Sequence, residues 1–189
     1  MPAGRGYAPA VDFLTAAGLG LDHGALRFDR TTEAWLHAGV ELRSRVAKAL
    51  DGLTVDVEVI GSASVPGLLA KPIIDLAAGV AAGQPLAPVA ERLSADGWIF
   101  RGDAGNQGGH IFVLEPRPRH RLAHLHVVDY HGNQWRDYLR LRDLLRRSPE
   151  ARERYEAVKV RLAERTPVSR PAYTEGKTAI VTSLLQEAG

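Results

Sequence analysis

Residues 57–76 read VEVIGSASVPGLLAKPIIDL, two apolar runs joined by a loop that opens on Gly61-Ser62. In the first run, extended back to residue 55, Val55, Val57 and Val59 alternate with Asp56, Glu58 and Ile60, which predicts a half-buried strand with the valines on one face. The second run, residues 73–80 (IIDLAAGV), predicts a buried strand whose apolar character is broken by Asp75 alone. A glycine-serine pair leaving a strand lets backbone amides and a hydroxyl approach a phosphate. A carboxylate on the next strand can hold the Mg²⁺ that bridges the same phosphates, and Lys71 can neutralise them from the side. The pattern by itself leaves Asp75 open to a plainer use, as the cap of a neighbouring helix.

Outward from this unit, Thr31 or Thr32 as N-cap and the spacing of Trp35, Leu42, Val46 and Ala49 predict a packing helix up to Asp51-Gly52. Residues 1–24, rich in Ala and Gly, read as an N-terminal extension with one helical turn around Val11–Ala17, and residues 25–189 as one domain. On the other side, Leu86, Val89, Ala90 and Leu93 predict a helix stopped by Gly97. Short strands follow at WIF (98–100), HIFVLE (110–115) and LAHLHVV (122–128), the second and third joined by a turn at PRPRHR. From Gln134 onward the pattern is helical, with starts at Ser148-Pro149 and Ser169-Arg170-Pro171. This order predicts an α/β (α+β) chain: a mixed β-sheet with flanking helices and a helical C-terminal portion covering one side.

The 189 residues are 45% hydrophobic and 24% charged, enough for a core without staples, and the absence of cysteine excludes disulfides, thiolate zinc sites and a cysteine nucleophile together. A formal charge of +2 argues against a general polyanion binder. No apolar run reaches the roughly 18 residues of a membrane span, and the N-terminus lacks a signal-peptide pattern, so the expectation is a cytoplasmic protein without a membrane or nucleic-acid partner. A P-loop kinase is set aside because no Gly-Lys-Ser/Thr follows Gly61, and a serine hydrolase because no G-x-S-x-G elbow occurs.

The run Val57–Leu76 resembles the signature of the GrpB family, a branch of the nucleotidyltransferase superfamily with a polymerase-beta-like fold. Trp35, the HLHV run at His124–Val127, LRDLL at Leu141–Leu145, Tyr155 with Lys159, and Tyr173 with Lys177 extend the likeness over about residues 25–188. The resemblance implies a nucleotidyltransferase-like fold in which Gly61 and Ser62, with Ser64 in the same loop, orient nucleotide phosphates. It also implies that Asp75 is the first metal carboxylate. The second acid of the superfamily's Asp-x-Asp or Asp-x-Glu strand is missing, since its position is Ala77. Ala63 stands where the family usually has Thr, Val59 where it often has His, and His110 where an Arg is common.

Five of the seven histidines fall between His110 and His131. His124 and His126, two apart in a strand, leave the same face, and a hairpin across the PRPRHR turn would let His110 lie opposite His126. Three converging imidazoles, with Asp75 or Glu58, would suit Zn²⁺, Fe²⁺ or Mn²⁺, or a general base with its orienting partner. Plainer uses remain open: sheet hydrogen bonds for His124 and His126, exposed turns for His120 and His131. Between Arg136 and Arg165 ten Lys or Arg face six Asp or Glu. Most of these read as a solvated helix face, whereas Lys159, Tyr173 and Lys177 are the better candidates to hold a phosphate.

Three functions follow as expectations. The first is metal-dependent nucleotidyl or phosphoryl transfer from an NTP to a small molecule, with Mg²⁺ or Mn²⁺. Ser62 and Lys71 would hold phosphate, Asp75 the metal, and His126 or Glu58 would complete coordination or take the acceptor's proton. The second is small-molecule chemistry at a Zn²⁺ or Fe²⁺ site of Asp75, His124, His126 and His110. The third is a non-catalytic ligand-binding module.

Overall fold

The computed structural model describes residues 11–103, 109–164 and 170–187, the side chains of 170–175 excepted. In chain order the elements are α1 (Asp12–Ala16), β1 (Leu21–Asp22), β2 (Asp29–Arg30), α2 (Glu33–Ala49), β3 (Asp56–Ile60), β4 (Leu69–Ala70), β5 (Ile74–Val80), α3 (Leu86–Ala95) and β6 (Trp98–Asp103). Then come β7 (His110–Leu114), β8 (His120–Arg121), β9 (Ala123–Asp129), α4 (Asn133–Arg147), α5 (Pro149–Glu164) and α6 (Arg170–Glu187). Five strands form one sheet in the order β3-β5-β9-β7-β6. β5 and β9 run parallel and the other neighbours antiparallel, which is the mixed sheet expected from the sequence.

The pleat sorts the side chains. Val57, Leu76, Ala78, Leu125, Val127, Phe112 and Leu114 point to the face covered by α1, α2 and α3, where they join Trp35, Leu42, Val46, Val89 and Leu93 in the main core. Thr32 caps α2 by accepting the Trp35 amide at 3.3 Å, and the Trp35 indole donates to the Ala17 carbonyl at 3.0 Å. Part of the expected extension therefore belongs to the fold: Leu14 and Leu19 are buried in this core and β1 pairs with β8.

The opposite face carries Glu58, Ile60, Asp75, Ala77, His124 and His126 at neighbouring register positions. α4 packs over its far half through Trp135, which joins Ile60, Ala77 and Val128. A satellite core of Val65, Leu68, Leu145, Ala151, Tyr155 and Leu184 ties α4, α5 and α6 to the loop after β3. Ser148 caps α5 as its sequence predicts, accepting the Ala151 amide at 3.1 Å; the start expected at Ser169 lies outside the described residues. Among the described residues no helix is long and apolar enough to cross a membrane.

Candidate active site

The chain leaves β3 through Gly61, whose backbone (φ +73, ψ −173) lies in a region open essentially to glycine. A single turn, Ser62–Ser64, follows. A β-carbon on Gly61 would sit 2.6 Å from Asp75 Oδ2, so glycine is needed both for the bend and to keep the space above the carboxylate open. The loop is clamped from behind: Arg146 donates twice to the Ser64 carbonyl, at 3.2 and 2.9 Å, and Glu156 accepts the Leu69 amide at 2.6 Å.

Asp75 and His124, adjacent on the parallel pair β5–β9, are joined by a 3.0 Å contact between His124 Nδ1 and Asp75 Oδ1. Burial pushes the Asp75 pKa up, but the His124 hydrogen bond and the positive charges of His124, Lys177 and His126 prevail and hold it at about 2. An ionised carboxylate only accepts, so Nδ1 of His124 carries the proton. The imidazole's other nitrogen, Nε2, is buried and has no hydrogen-bond partner among the described residues.

Ser62 Oγ lies 3.1 Å from Lys159 Nζ, which also donates to the Leu69 carbonyl at 2.5 Å, and 3.3 Å from the Tyr155 hydroxyl. Lys159 is 2% exposed, and burial, reinforced by Lys177 and Lys71 against the opposing Glu156 and Asp75, brings its pKa down to about 7. A cavity of about 130 Å³ opens over these groups, lined by Ser62, Lys71, Asp75, His124, Lys159 and Lys177. Three lysines around one carboxylate give the cavity a predominantly cationic lining.

The other expected site residues fall elsewhere. Ser64 is buried and spends its hydroxyl on the Gly61 carbonyl at 2.7 Å, so it shapes the loop instead of facing the cavity. Glu58 shares the sheet face of Asp75 but is held by Arg142 Nη1 at 2.7 Å, an ion pair under α4 that removes it from the pocket. His110 pairs with Val127, and Ile111 is the residue opposite His126; one register step puts His110 on the other face, against Phe100, so the three imidazoles do not converge. His126 is on the site face, with Nδ1 3.1 Å from the Tyr138 hydroxyl, which accepts from Gln134 at 2.9 Å. Its burial, together with His124 and Lys177, outweighs the pull of Asp75 and lowers its pKa to about 4, so it is neutral at pH 7. The Tyr173 side chain lies outside the described residues. Tyr138 and Arg146 carry no local signal in the sequence beyond their place on an amphipathic helix, and Arg142, within the LRDLL segment, and Tyr155 only their family positions.

The donor set bears on a metal. Among the described residues no group of three His, Asp or Glu is placed to hold one. Asp75 Oδ2, under the cradle that Gly61 leaves, could give a single hard cation one protein ligand, and the others would have to come from a bound ligand and water. Ala77, buried at the position of a second acid, supplies nothing.

A family model described as GrpB protein matches residues 26–187. The chain belongs to the GrpB family. It is 29% identical over 174 residues to the glutamate-rich protein GrpB of Alkalihalophilus pseudofirmus, covering 89% of this chain and 99% of that one. A UPF0157 protein of Streptomyces coelicolor is 35% identical over 155 residues, 82% of this chain and 80% of its own. The fold matches the crystal structure of GrpB from Enterococcus faecalis with a TM-score of 0.74 and 28% identity, over 86% of this chain and 96% of that one. It also matches the Cid1 poly(U) polymerase, crystallised with MgATP, with a TM-score of 0.52 and 16% identity, over 78% of this chain and 50% of the polymerase. The chain thus has the nucleotidyltransferase-like fold that its loop signature resembles.

Proposed function

We propose that this protein transfers a nucleotidyl or phosphoryl group from a nucleoside triphosphate to a small-molecule acceptor. The observation that carries the proposal is the cavity itself, in which the Gly61-Ser62 turn, the Asp75 carboxylate and three lysines converge. The fold it shares with a polymerase crystallised with MgATP supports a nucleotide as the anion.

In this reading Ser62 donates its hydroxyl proton to a phosphate oxygen, because Lys159 already donates to the serine oxygen. Lys71 and Lys177 neutralise charge on the phosphates. A Mg²⁺ or Mn²⁺ brought by the nucleotide would be held by Asp75 and supplies charge neutralisation at the phosphates. For nucleotidyl transfer, the acceptor's oxygen or nitrogen bonds to the α-phosphorus as the α–β bridging P–O bond breaks. Pyrophosphate leaves with the electron pair, and the acceptor's proton passes to His124, the imidazole that lines the cavity. His126, turned toward Tyr138, and Glu58, tied to Arg142, hold the sheet face in place.

Calorimetry of the purified protein with ATP, CTP, GTP and UTP, each with Mg²⁺ or Mn²⁺, tests the proposal. At least one nucleotide is expected to bind, and Ser62→Ala and Lys177→Ala to weaken it by about tenfold or more, the worth of a charge-assisted hydrogen bond. The absence of nucleotide binding with either metal overturns the reading.

A further inference from the structure

Residues 21–26 show no chemical pattern in the sequence, yet they wall a second cavity of about 170 Å³ that shares Lys71, Ile73 and His124 with the first. The wall is built in. Leu21 and Asp22 pair with Arg121 and His120 across β1–β8, the His23 amide donates to the Arg119 carbonyl at 2.7 Å, and the Gly20 amide donates to Pro72 at 2.8 Å. A β-carbon on Gly20 would lie 2.4 Å from the His120 ring, so the segment is seated as closely as a backbone can be.

We propose that this second cavity is the acceptor subsite, shaped for a small molecule that carries a carboxylate; the assignment rests on reading the first cavity as the phosphate site. Leu21, Leu26 and Ile73 give it apolar walls, and at ~30 Å³ per water it has room for about five or six waters, the bulk of a small organic acid. Its cations are Lys71 and the half-buried guanidinium of Arg121, a fork that suits a carboxylate. The carboxylate at the rim, Asp22, is compensated by His120 at 2.7 Å and Arg117 at 3.7 Å, and Glu115, 3.8 Å from Arg121 Nε, lies outside the lining. His124 stands where the two cavities meet, and its buried Nε2 lacks a partner among the described residues. A buried polar atom without a partner, on an imidazole that lines both cavities, is a hydrogen-bonding position for the acceptor's reacting hydroxyl or amine. An acid group seated on Lys71 and Arg121 places that hydroxyl or amine next to the phosphates.

The test uses the full chain with ATP and Mg²⁺ and three probes, lactate, glycerate and 2-hydroxyisocaproate, each beside its uncharged amide, followed by saturation-transfer and imidazole NMR. At least one acid is expected to bind with a Kd of about 1 mM and its amide about tenfold more weakly. The imidazole signals of His23 and His124 should move while those of His37 and His131 stay. Ala25→Trp and Leu26→Trp, which fill the cavity from the turn, should abolish acid binding and leave the ATP affinity within about twofold. Acids and amides binding alike, acid binding that survives both fillers, or ATP binding with no acid bound overturns the proposal and leaves the nucleotide reading standing. Acid binding with the expected selectivity but no binding of ATP, CTP, GTP or UTP with either metal overturns the nucleotide reading, and the acceptor role with it. If both fillers unfold, the acid-over-amide selectivity and the histidine shifts of the unsubstituted protein decide.

Discussion

Replacing Gly61 by alanine should cost the protein twice. The backbone at φ +73 and ψ −173 is in a region that penalises any side chain by about 1–3 kcal/mol. The new methyl would also sit 2.6 Å from Asp75 Oδ2, so the carboxylate must move off its 3.0 Å bond to His124, a charge-assisted contact of about 1.5–3 kcal/mol when fully buried and about half that for a side chain 27% exposed. The sum is about 2–4 kcal/mol. At about 2–4 °C per kcal/mol for a chain of this size, the melting temperature should fall by about 4–16 °C. Gly67 is the control, since its φ is also positive (+70) and nothing lies within 4 Å of its added β-carbon, so Gly67→Ala pays the backbone cost alone. Urea denaturation of both variants, each also in an Asp75→Ala background, separates the two effects. Most of the excess cost of Gly61→Ala should go once the Asp75 carboxylate is gone, leaving the 3.1 Å approach to the residue-75 β-carbon. Equal costs for the two glycine variants, within about 0.5 kcal/mol, would refute the assignment of Gly61 as the residue that keeps the carboxylate in place.

Other outcomes follow from the same geometry. Lys159 titrates at about 7 in the native protein against 10.5 ordinarily, so from about pH 7 to 10.5 the unfolded chain binds more protons and stability should rise with pH; Lys159→Met should flatten that rise in chemical denaturation. His126, lowered from 6.5 to about 4, gives stability that falls as pH drops through that window, and His126→Asn should remove this part of the acid limb. Stripping divalent ions with EDTA should leave the melting temperature unchanged without nucleotide and lower nucleotide affinity, because Asp75 alone does not make a resident metal site. Arg142→Met should destabilise by about 1–3 kcal/mol by leaving Glu58 without its partner, and a double-mutant cycle with Glu58→Gln should recover part of that loss.

The strand-turn-strand unit at 55–80 is legible in the sequence because alternation, a Gly-Ser pair and one acid in an apolar run are local properties. The shared face of His124 and His126 is legible for the same reason. The place of His110 is not, since a single register step between β7 and β9 reverses its face and both registers satisfy the same alternation. Glu58 looks like a ligand until α4 arrives with Arg142, 84 residues further on, and a helix arginine carries no mark of its partner. Ser64 looks like a phosphate ligand because serines in glycine loops often are, and only the turn geometry shows its hydroxyl folded back on Gly61. Lys159 stands out as a family position, but its contact with Ser62 spans 97 residues and depends on how α5 docks. The wall at 21–26 escapes because it is made by backbone pairing with β8, which composition does not reveal.

The parallel pairing of β5 with β9 has a consequence for how the molecule comes into being. Asp75 and His124 meet across 49 residues, and α3, β6, β7 and β8 lie between them in the chain. The ends of that long loop must be brought together, at an entropic cost, before the carboxylate finds its imidazole, and a parallel crossover is a slow step in folding. A nascent or partly unfolded chain can carry the Gly61 turn and the C-terminal lysines without the pair. The Asp75–His124 pair therefore exists only in a chain that has closed this loop, and the cavity over it is complete only then.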